Sequence, residues 1–288
     1  MKKAFLQLHA SILLAGFTGV LGRLISMNEV DIVFYRILVA LLILVVFTGL
    51  PKVGWRKFFQ IAGCGALLAI HWILFYSSIK MSNVSIGVVC YAMVGFFTAL
   101  LEPWIYHRKV KFSEVGFSLI TLLGILLIFS FDPRYRSGIM MGTVSSFVAA
   151  LFMVLVKKVS TDVKSRDMMV YEMVGGLGGT LLFAPLYLLL FPPQSSVLVL
   201  PEGNDVWFVF CHALFCTVLM YMLQLMCLKK LSAFTVNLSY NLEPVYSIII
   251  AFIIFGEGRE LNFSFYLGIA LILISVAMQT LTALRSKA

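Results

Sequence analysis

The sequence predicts an all-α integral membrane protein with ten transmembrane helices arranged as a five-plus-five inverted repeat. Three observations predict it. The composition is too apolar for a water-soluble core, the apolar runs recur at membrane-spanning length between short basic loops, and charged anchors recur in the two halves. Hydrophobic residues make up 61% of the 288 residues, charged residues 12%, and the mean hydropathy is +1.01. Soluble domains hold about 45–50% apolar and about 25% charged residues. A chain this apolar needs lipid, not water, around most of its surface.

A helix crosses the hydrocarbon core with roughly 20 apolar residues. Cutting the sequence at charges and turn residues leaves ten candidate spans, at about 4–25, 31–49, 57–79, 82–106, 113–131, 138–156, 168–190, 205–228, 233–255 and 262–284. The connectors are short and carry Pro, Gly or Asn, as in "GLPKVGW", "DPRYRSG" and "PPQSSVLVLPEGN". The opening "MKKAFLQLHASILLAGFTGV" has the basic and apolar regions of a signal peptide. The rest of the chain is equally apolar, so it reads as a retained first helix. The five cysteines all fall in apolar runs and form no CxxC pair, which fits buried small hydrophobes better than a disulfide or metal framework.

Lysine and arginine set the expected orientation. Sixteen of them fall on one set of ends and loops and four (Lys80, Arg134, Arg136, Arg259) on the other, while Arg23 and Arg36 lie within or at the ends of spans. The bias places both termini in the cytoplasm, in a multi-pass protein of the plasma membrane, or of the inner membrane in a diderm bacterium. The formal charge of +9 is mostly this bias. Basic residues scattered over many short loops do not form a nucleic-acid surface.

Five spans are an odd number, so a duplicated half inserts upside down, a common design in transporters. The expected halves are 1–135 and 136–288. "AGFTGVLGRLIS" at 15–26 aligns with "AALFMVLVKKVS" at 149–160, with four identities and Arg23 facing Lys157. "DIVFYR" at 31–36 aligns with "DMMVYE" at 167–172, where Arg36 is replaced by Glu172, and Lys80 and Ser82 align with Lys230 and Ser232. Small residues at a spacing of four (Ser11, Ala15, Gly19 and Gly138, Gly142, Ser146, Ala150) let helices approach closely.

An ionised group at the bilayer centre costs about 2.5–3.5 kcal/mol on insertion scales, so polar residues within spans are functional candidates. The ninth span is the clearest. Leu238, Leu242, Val245, Ile249 and Ile253 fall on one arc, while Asn237, Ser239, Tyr240, Asn241, Glu243 and Ser247 occupy the rest. Pro244 has no N–H, so the Tyr240 carbonyl loses its helical partner, and a freed carbonyl at that depth needs a donor or lines a cavity. The plainer reading is a structural hydrogen bond from Glu243 to a neighbouring helix. In the third span, His71, Trp72 and Tyr76 are candidate substrate contacts, with packing as the plainer reading. His71 also changes charge near neutral pH. Tyr91 and Gln224 join them from the fourth and eighth spans, where Asn83 and His212 are also polar. Arg36 and Glu172 sit near opposite ends of their spans, as gate or entry contacts, or as side chains snorkelling to the interface.

Ten spans, cytoplasmic termini and an inverted repeat resemble the drug/metabolite transporter superfamily, and specifically its EamA-type members. "EVDIVFYRILVALLIL" resembles that family's second helix, and "LEPVYSIIIAFIIFGE", with Pro244, Gly256 and Glu257, resembles its ninth. The first half departs from the pattern, with Val94 and His107 at the positions aligned with Pro244 and Glu257. The resemblance implies that helices one to four and six to nine surround a central cavity while five and ten pack outside. It also implies export of amino acids, nucleoside-like metabolites or drugs.

The expected function is a secondary exporter of small amphipathic, amino-acid-like metabolites, working by alternating access around a midplane cavity. Its partners are a small-molecule substrate and the bilayer. Proton coupling through Glu243 or His71 and plain uniport remain open alternatives. A membrane-embedded enzyme or a channel is the competing class. The enzyme would need a site of another kind, because no GxSxG, HExxH or GxxxxGK[ST] motif occurs. "GGLGGT" at 175–180 lies within an apolar run and lacks the lysine. No catalytic residue, cofactor or metal is expected. The charge bias makes one prediction. Cysteines introduced at 52 and 194 should be labelled from opposite sides of the membrane, and labelling from the same side would refute this topology.

Overall fold

The computed structural model describes residues 2–110, 112–129, 133–192, 196–240, 242–256 and 263–285. Asn241 and Glu257 lie outside the described residues, as does the side chain of Asn237. The helices are α1 (Lys2–Leu24), α2 (Glu29–Thr48), α3 (Trp55–Met81), α4 (Val84–Tyr91), α5 (Val94–Ile105), α6 (Phe112–Phe129), α7 (Arg136–Val159), α8 (Ser165–Leu190), α9 (Asn204–Ala213), α10 (Met220–Leu228), α11 (Ala233–Tyr240), α12 (Glu243–Phe255) and α13 (Phe263–Arg285). A π-helical segment, Leu214–Leu219, joins α9 to α10. Among the described residues there is no strand. Among the described residues, seven helical stretches are long and apolar enough to cross a membrane: 3–24, 29–48, 55–81, 84–105, 136–162, 165–190 and 204–228. All-helical structure is what the solvent demands, because hydrocarbon offers no partner to a backbone N–H or C=O. Side chains such as Phe47, Leu182 and Ile253 are exposed on the outside of the bundle, as lipid-facing residues should be.

Local chemistry explains the ends. Asn28 caps α2 by accepting the Asp31 N–H at 2.9 Å, and Asn83 caps α4 by accepting the Ile86 N–H at 2.8 Å. Gly256 closes α12 with φ +67°. The ninth expected span is split. Pro244 sits in the first turn of α12, where its missing N–H costs nothing, and α11 ends at Tyr240. The fourth is split as well, between Tyr91 and Val94, with no proline. There the Ala92 and Met93 N–H groups turn back three residues to Val89 and Cys90, and the Ser146 hydroxyl of α7 shares its proton between the Cys90 carbonyl at 2.8 Å and the Gly142 carbonyl at 2.7 Å.

Hydrogen bonds tie each end of the bundle. At one end the Ser26 hydroxyl donates to Asp205 at 2.5 Å, the Leu198 N–H donates to Asp31 at 2.9 Å, and Lys80 donates to the Met27 carbonyl. At the other, Tyr171 donates to the Pro51 carbonyl, Lys157 to the carbonyls of Leu228 and Leu231, and Lys229 to that of Val163.

The centre of the bundle is α3, packed on α7 and α8, while α6 pairs with α13. Small residues make these approaches possible. The ridge Gly138, Gly142 and Ser146 of α7 meets Ser78 of α3 and Cys90 of α4. The closest contact is backbone to backbone between α3 and α8. A Cβ on Gly65 would lie 1.9 Å from the Glu172 carbonyl oxygen, and one on Gly175 would lie 2.1 Å from that of Ala62. A Cβ on Gly63 or Gly178 would meet nothing within 4 Å. Gly65→Ala and Gly175→Ala should therefore destabilise the folded protein by about 1–3 kcal/mol, the usual cost of overpacking. Gly63→Ala and Gly178→Ala should be neutral or stabilising. Thermal unfolding of the four purified variants in detergent checks this, and equal melting temperatures would refute the contact.

Candidate functional site

The breaks and the close helix approaches surround a small cavity in the middle of the bundle. Its walls come from α1 (Ala15, Thr18), α2 (Arg36), α3 (Leu68, His71, Trp72, Phe75), α4 (Tyr91), α7 (Ala149, Phe152, Met153), α10 (Met220, Tyr221, Gln224), α11 (Tyr240) and α12 (Glu243). Its volume is about 50 Å³. Ligand pockets usually hold about 300–1,000 Å³. The walls must therefore move apart to admit a metabolite.

Arg36 is the most heavily supported residue of the site. It is 0% exposed, although it lies only two turns from the start of α2. Its Nε donates to the Thr217 hydroxyl at 2.6 Å, one terminal nitrogen donates to the Tyr76 hydroxyl, and the other donates to the Cys216 carbonyl at 2.6 Å. Its guanidinium carbon lies 3.7 Å from the centroid of the Trp72 ring, a cation–π contact. The π-helical segment explains the carbonyl. The Met220 N–H reaches back to Phe215 and Thr217, bypassing Cys216, whose oxygen is left to accept from Arg36. Tyr76 is buried behind the guanidinium, with its hydroxyl 2.8 Å from His212 Nε2. A Cβ on Gly22 would lie 2.3 Å from the Tyr76 ring, so only glycine leaves the ring its place.

His71 is fixed by α7. The Ser145 hydroxyl donates to the His71 carbonyl at 2.9 Å, which uses its proton, so the 2.8 Å contact between Ser145 Oγ and His71 Nδ1 is donated by Nδ1–H. In a neutral ring this leaves Nε2 as an acceptor. Glu243 lines the same cavity as Arg36 and makes no direct ion pair with it. On α12, Glu243 and Ser247 are buried while Ile249 and Ile253 are exposed, the division that the sequence pattern predicts.

Of the residues singled out from sequence, His71, Trp72, Tyr91, Gln224, Tyr240 and Glu243 line the cavity, and Tyr76 stands one layer behind. Arg36, expected near an entry, faces the cavity too. It does not snorkel, because its polar partners all lie inward on α3 and the π-helical segment. Glu172 is away from the lining. It is 0% exposed and accepts a hydrogen bond from Tyr221 at 2.8 Å. Sequence reasoning missed Thr18, Tyr221, Ser145, Thr217 and the Cys216 carbonyl. Only Tyr221 left a signal. It follows Tyr76 by 145 residues, between the offsets of 136 and 150 that relate Asp31 to Asp167 and Lys80 to Lys230. Among the described residues no group of His, Cys, Asp or Glu is arranged to hold a metal ion.

Comparison with known proteins fits this architecture. The family model described as "EamA-like transporter family" matches twice, over residues 2–130 and 136–281. A protein of Clostridium kluyveri named "Uncharacterized transporter" is 22% identical over 223 residues, covering 74% of this chain and 69% of its own length. A solved structure titled "Crystal structure of protein" superposes with a TM-score of 0.71 over the whole of both chains at 17% identity, a likeness of fold alone. The chain is a multi-pass membrane transporter, not an enzyme, and it belongs to the EamA-like transporter family.

Proposed function

We propose that this protein is a secondary exporter of small zwitterionic metabolites of the amino-acid type, moving them by alternating access around the central cavity. The observation that carries the reading is a positive and a negative group, Arg36 and Glu243, on the wall of one small cavity that Trp72, Phe75, Tyr91, Phe152, Tyr221 and Tyr240 also face. A carboxylate and an ammonium on one small molecule satisfy two opposite charges at once. The aromatic faces accept its apolar part and offer the ammonium a cation–π surface. Arg36 uses three of its nitrogens to hold its place and keeps N–H donors to spare.

The chain is read as ten membrane passages in two inverted halves, 1–135 and 136–288, with both termini cytoplasmic in the plasma membrane. Several features support this. The family model matches once in each half. The split between α4 and α5 recurs about 150 residues later between α11 and α12. Arg36 bonded to Tyr76 has its counterpart in Glu172 bonded to Tyr221. Hydrogen bonds tie both ends of the bundle and the cavity is smaller than a substrate, which supports a carrier over a permanently open pore.

Counterflow into proteoliposomes across a panel of amino acids tests the reading. Exchange of at least one of them is expected, and exchange of none would overturn the substrate class. Channels show no counterflow, so the same assay separates the two. Glu243→Gln keeps the shape of the side chain and removes its charge. It should lower exchange at least tenfold, the factor that about 1.4 kcal/mol of lost binding supplies, while the melting temperature holds or rises. Wild-type exchange in this variant would remove Glu243 from the mechanism. Trp72→Ala should reorder the ranking of amino acids, because its ring is part of the wall. Tyr76→Phe, one layer back, should lower all of them alike. Uniform loss in Trp72→Ala with a lowered melting temperature would make Trp72 a packing residue.

A further inference from the structure

Outside the cavity wall, Glu172 of α8 is a buried carboxyl group that is only half supported. Its side chain is 0% exposed. One carboxyl oxygen, Oε2, accepts the Tyr221 hydroxyl at 2.8 Å, and the other, Oε1, is buried with no hydrogen-bond partner. The titratable groups acting on it are Tyr221 of α10 and Cys64 of α3. Arg36 of α2, which also packs on α8, is turned to Tyr76 and Thr217 instead. At the same level the backbones of α3 and α8 meet, Gly65 against the Glu172 carbonyl. A carboxylate with one hydrogen bond and no cation does not stay ionised in such a place, since removing a charge from water is repaid only by full pairing.

The contrast with Arg36 sharpens the point. The two residues occupy corresponding places in the proposed halves, and each is bonded to a tyrosine of the next membrane passage. Arg36 is answered on all three nitrogens and on the face of its guanidinium. Glu172 is answered on one oxygen only. The Tyr221 bond suits either charge state, because Oε2 is an acceptor in the acid and in the carboxylate. Only Oε1 differs between them.

We propose that Glu172 is a proton-binding site distinct from the substrate cavity, with Oε1 as the atom that takes and releases the proton and Tyr221 as the link from that site to the cavity wall. The step is a simple proton transfer. Oε1 of the carboxylate takes a proton from water when its end of the bundle opens, the neutral acid is what the closed interface accepts, and the proton returns to water at the next opening. No bond to Tyr221 is made or lost. A substrate meeting Tyr221 in the cavity thereby senses whether Glu172 carries its proton, and exchange becomes dependent on the pH at that end of the bundle.

Infrared difference spectroscopy across a pH series on the purified full-length protein tests the site without any substrate. The wild type should show a buried carboxylic C=O band that fades as the pH rises. Glu172→Gln should lose that band and Glu243→Gln should keep it. Tyr221→Phe, which leaves Glu172 in place, should move it to higher frequency because the hydrogen bond to the carbonyl is gone. An unchanged band in Glu172→Gln, or an unmoved one in Tyr221→Phe, would overturn the site. The pH dependence rests on the carrier reading above and is measured separately in proteoliposomes, with an amino acid that the wild type exchanges. Across a pH series wild-type counterflow should change at least tenfold, while Glu172→Gln should hold it constant within about twofold. A wild-type pH response in Glu172→Gln would overturn the dependence. Should no amino acid exchange even in the wild type, the exporter reading fails, while the infrared result still decides the proton site.

Discussion

A guanidinium buried among apolar helices is the constraint on which the centre of this protein depends. Arg36 carries a charge that no neighbouring lipid can solvate, so the fold must supply its partners. Two deviations from ideal helix packing do so. The π-helical segment sends the Met220 N–H past Cys216 and frees a carbonyl. Thr217, in the same segment, is brought within 2.6 Å of Nε. Gly22 leaves space for the Tyr76 ring, whose hydroxyl accepts from the guanidinium and meets His212. Replacing Arg36 by lysine would keep the charge and lose this arrangement, because one ammonium cannot answer three acceptors spread over a planar fork and also lie flat on Trp72.

How much of this was legible depended on whether the cause lay within one span or between two. Composition and the basic loops fix the helical membrane class, because both are set by the bilayer and not by neighbouring helices. The interruption at Tyr240–Glu243 was legible because Pro244 removes a hydrogen bond wherever it stands. The matching interruption between α4 and α5 has no such residue. It is held by a serine of α7, Ser146, donating to the Cys90 carbonyl, and a partner 56 residues away leaves no local trace. The π-helical segment "LFCTVL" is equally silent, as its stabiliser is an arginine 181 residues distant. Arg36 itself was visible as a charge in an apolar run. Its depth was not, because a long side chain near a helix end can turn toward water or away from it, and only the partners on α3 and the π-helical segment decide.

The two ends of the bundle are tied by different chemistry, which bears on how a carrier of the proposed kind would move. At one end, carboxylates of Asp31 and Asp205 accept backbone N–H groups of residues 198 and 26, so the loop after α8 is strapped to the start of α2 and the turn after α1 to α9. At the other, Lys157 of α7 donates to carbonyls at the end of α10 and beyond, where a helix leaves acceptors unanswered. Water can replace either set of partners, so each closure is reversible at small cost. The contact of α3 with α8 is another matter. With Gly65 set against the Glu172 carbonyl there is no side chain to rotate away, and the two helices separate or stay together as units. Opening at the Glu172 level therefore admits water to the carboxyl group and loosens Tyr221 on the cavity wall in one movement.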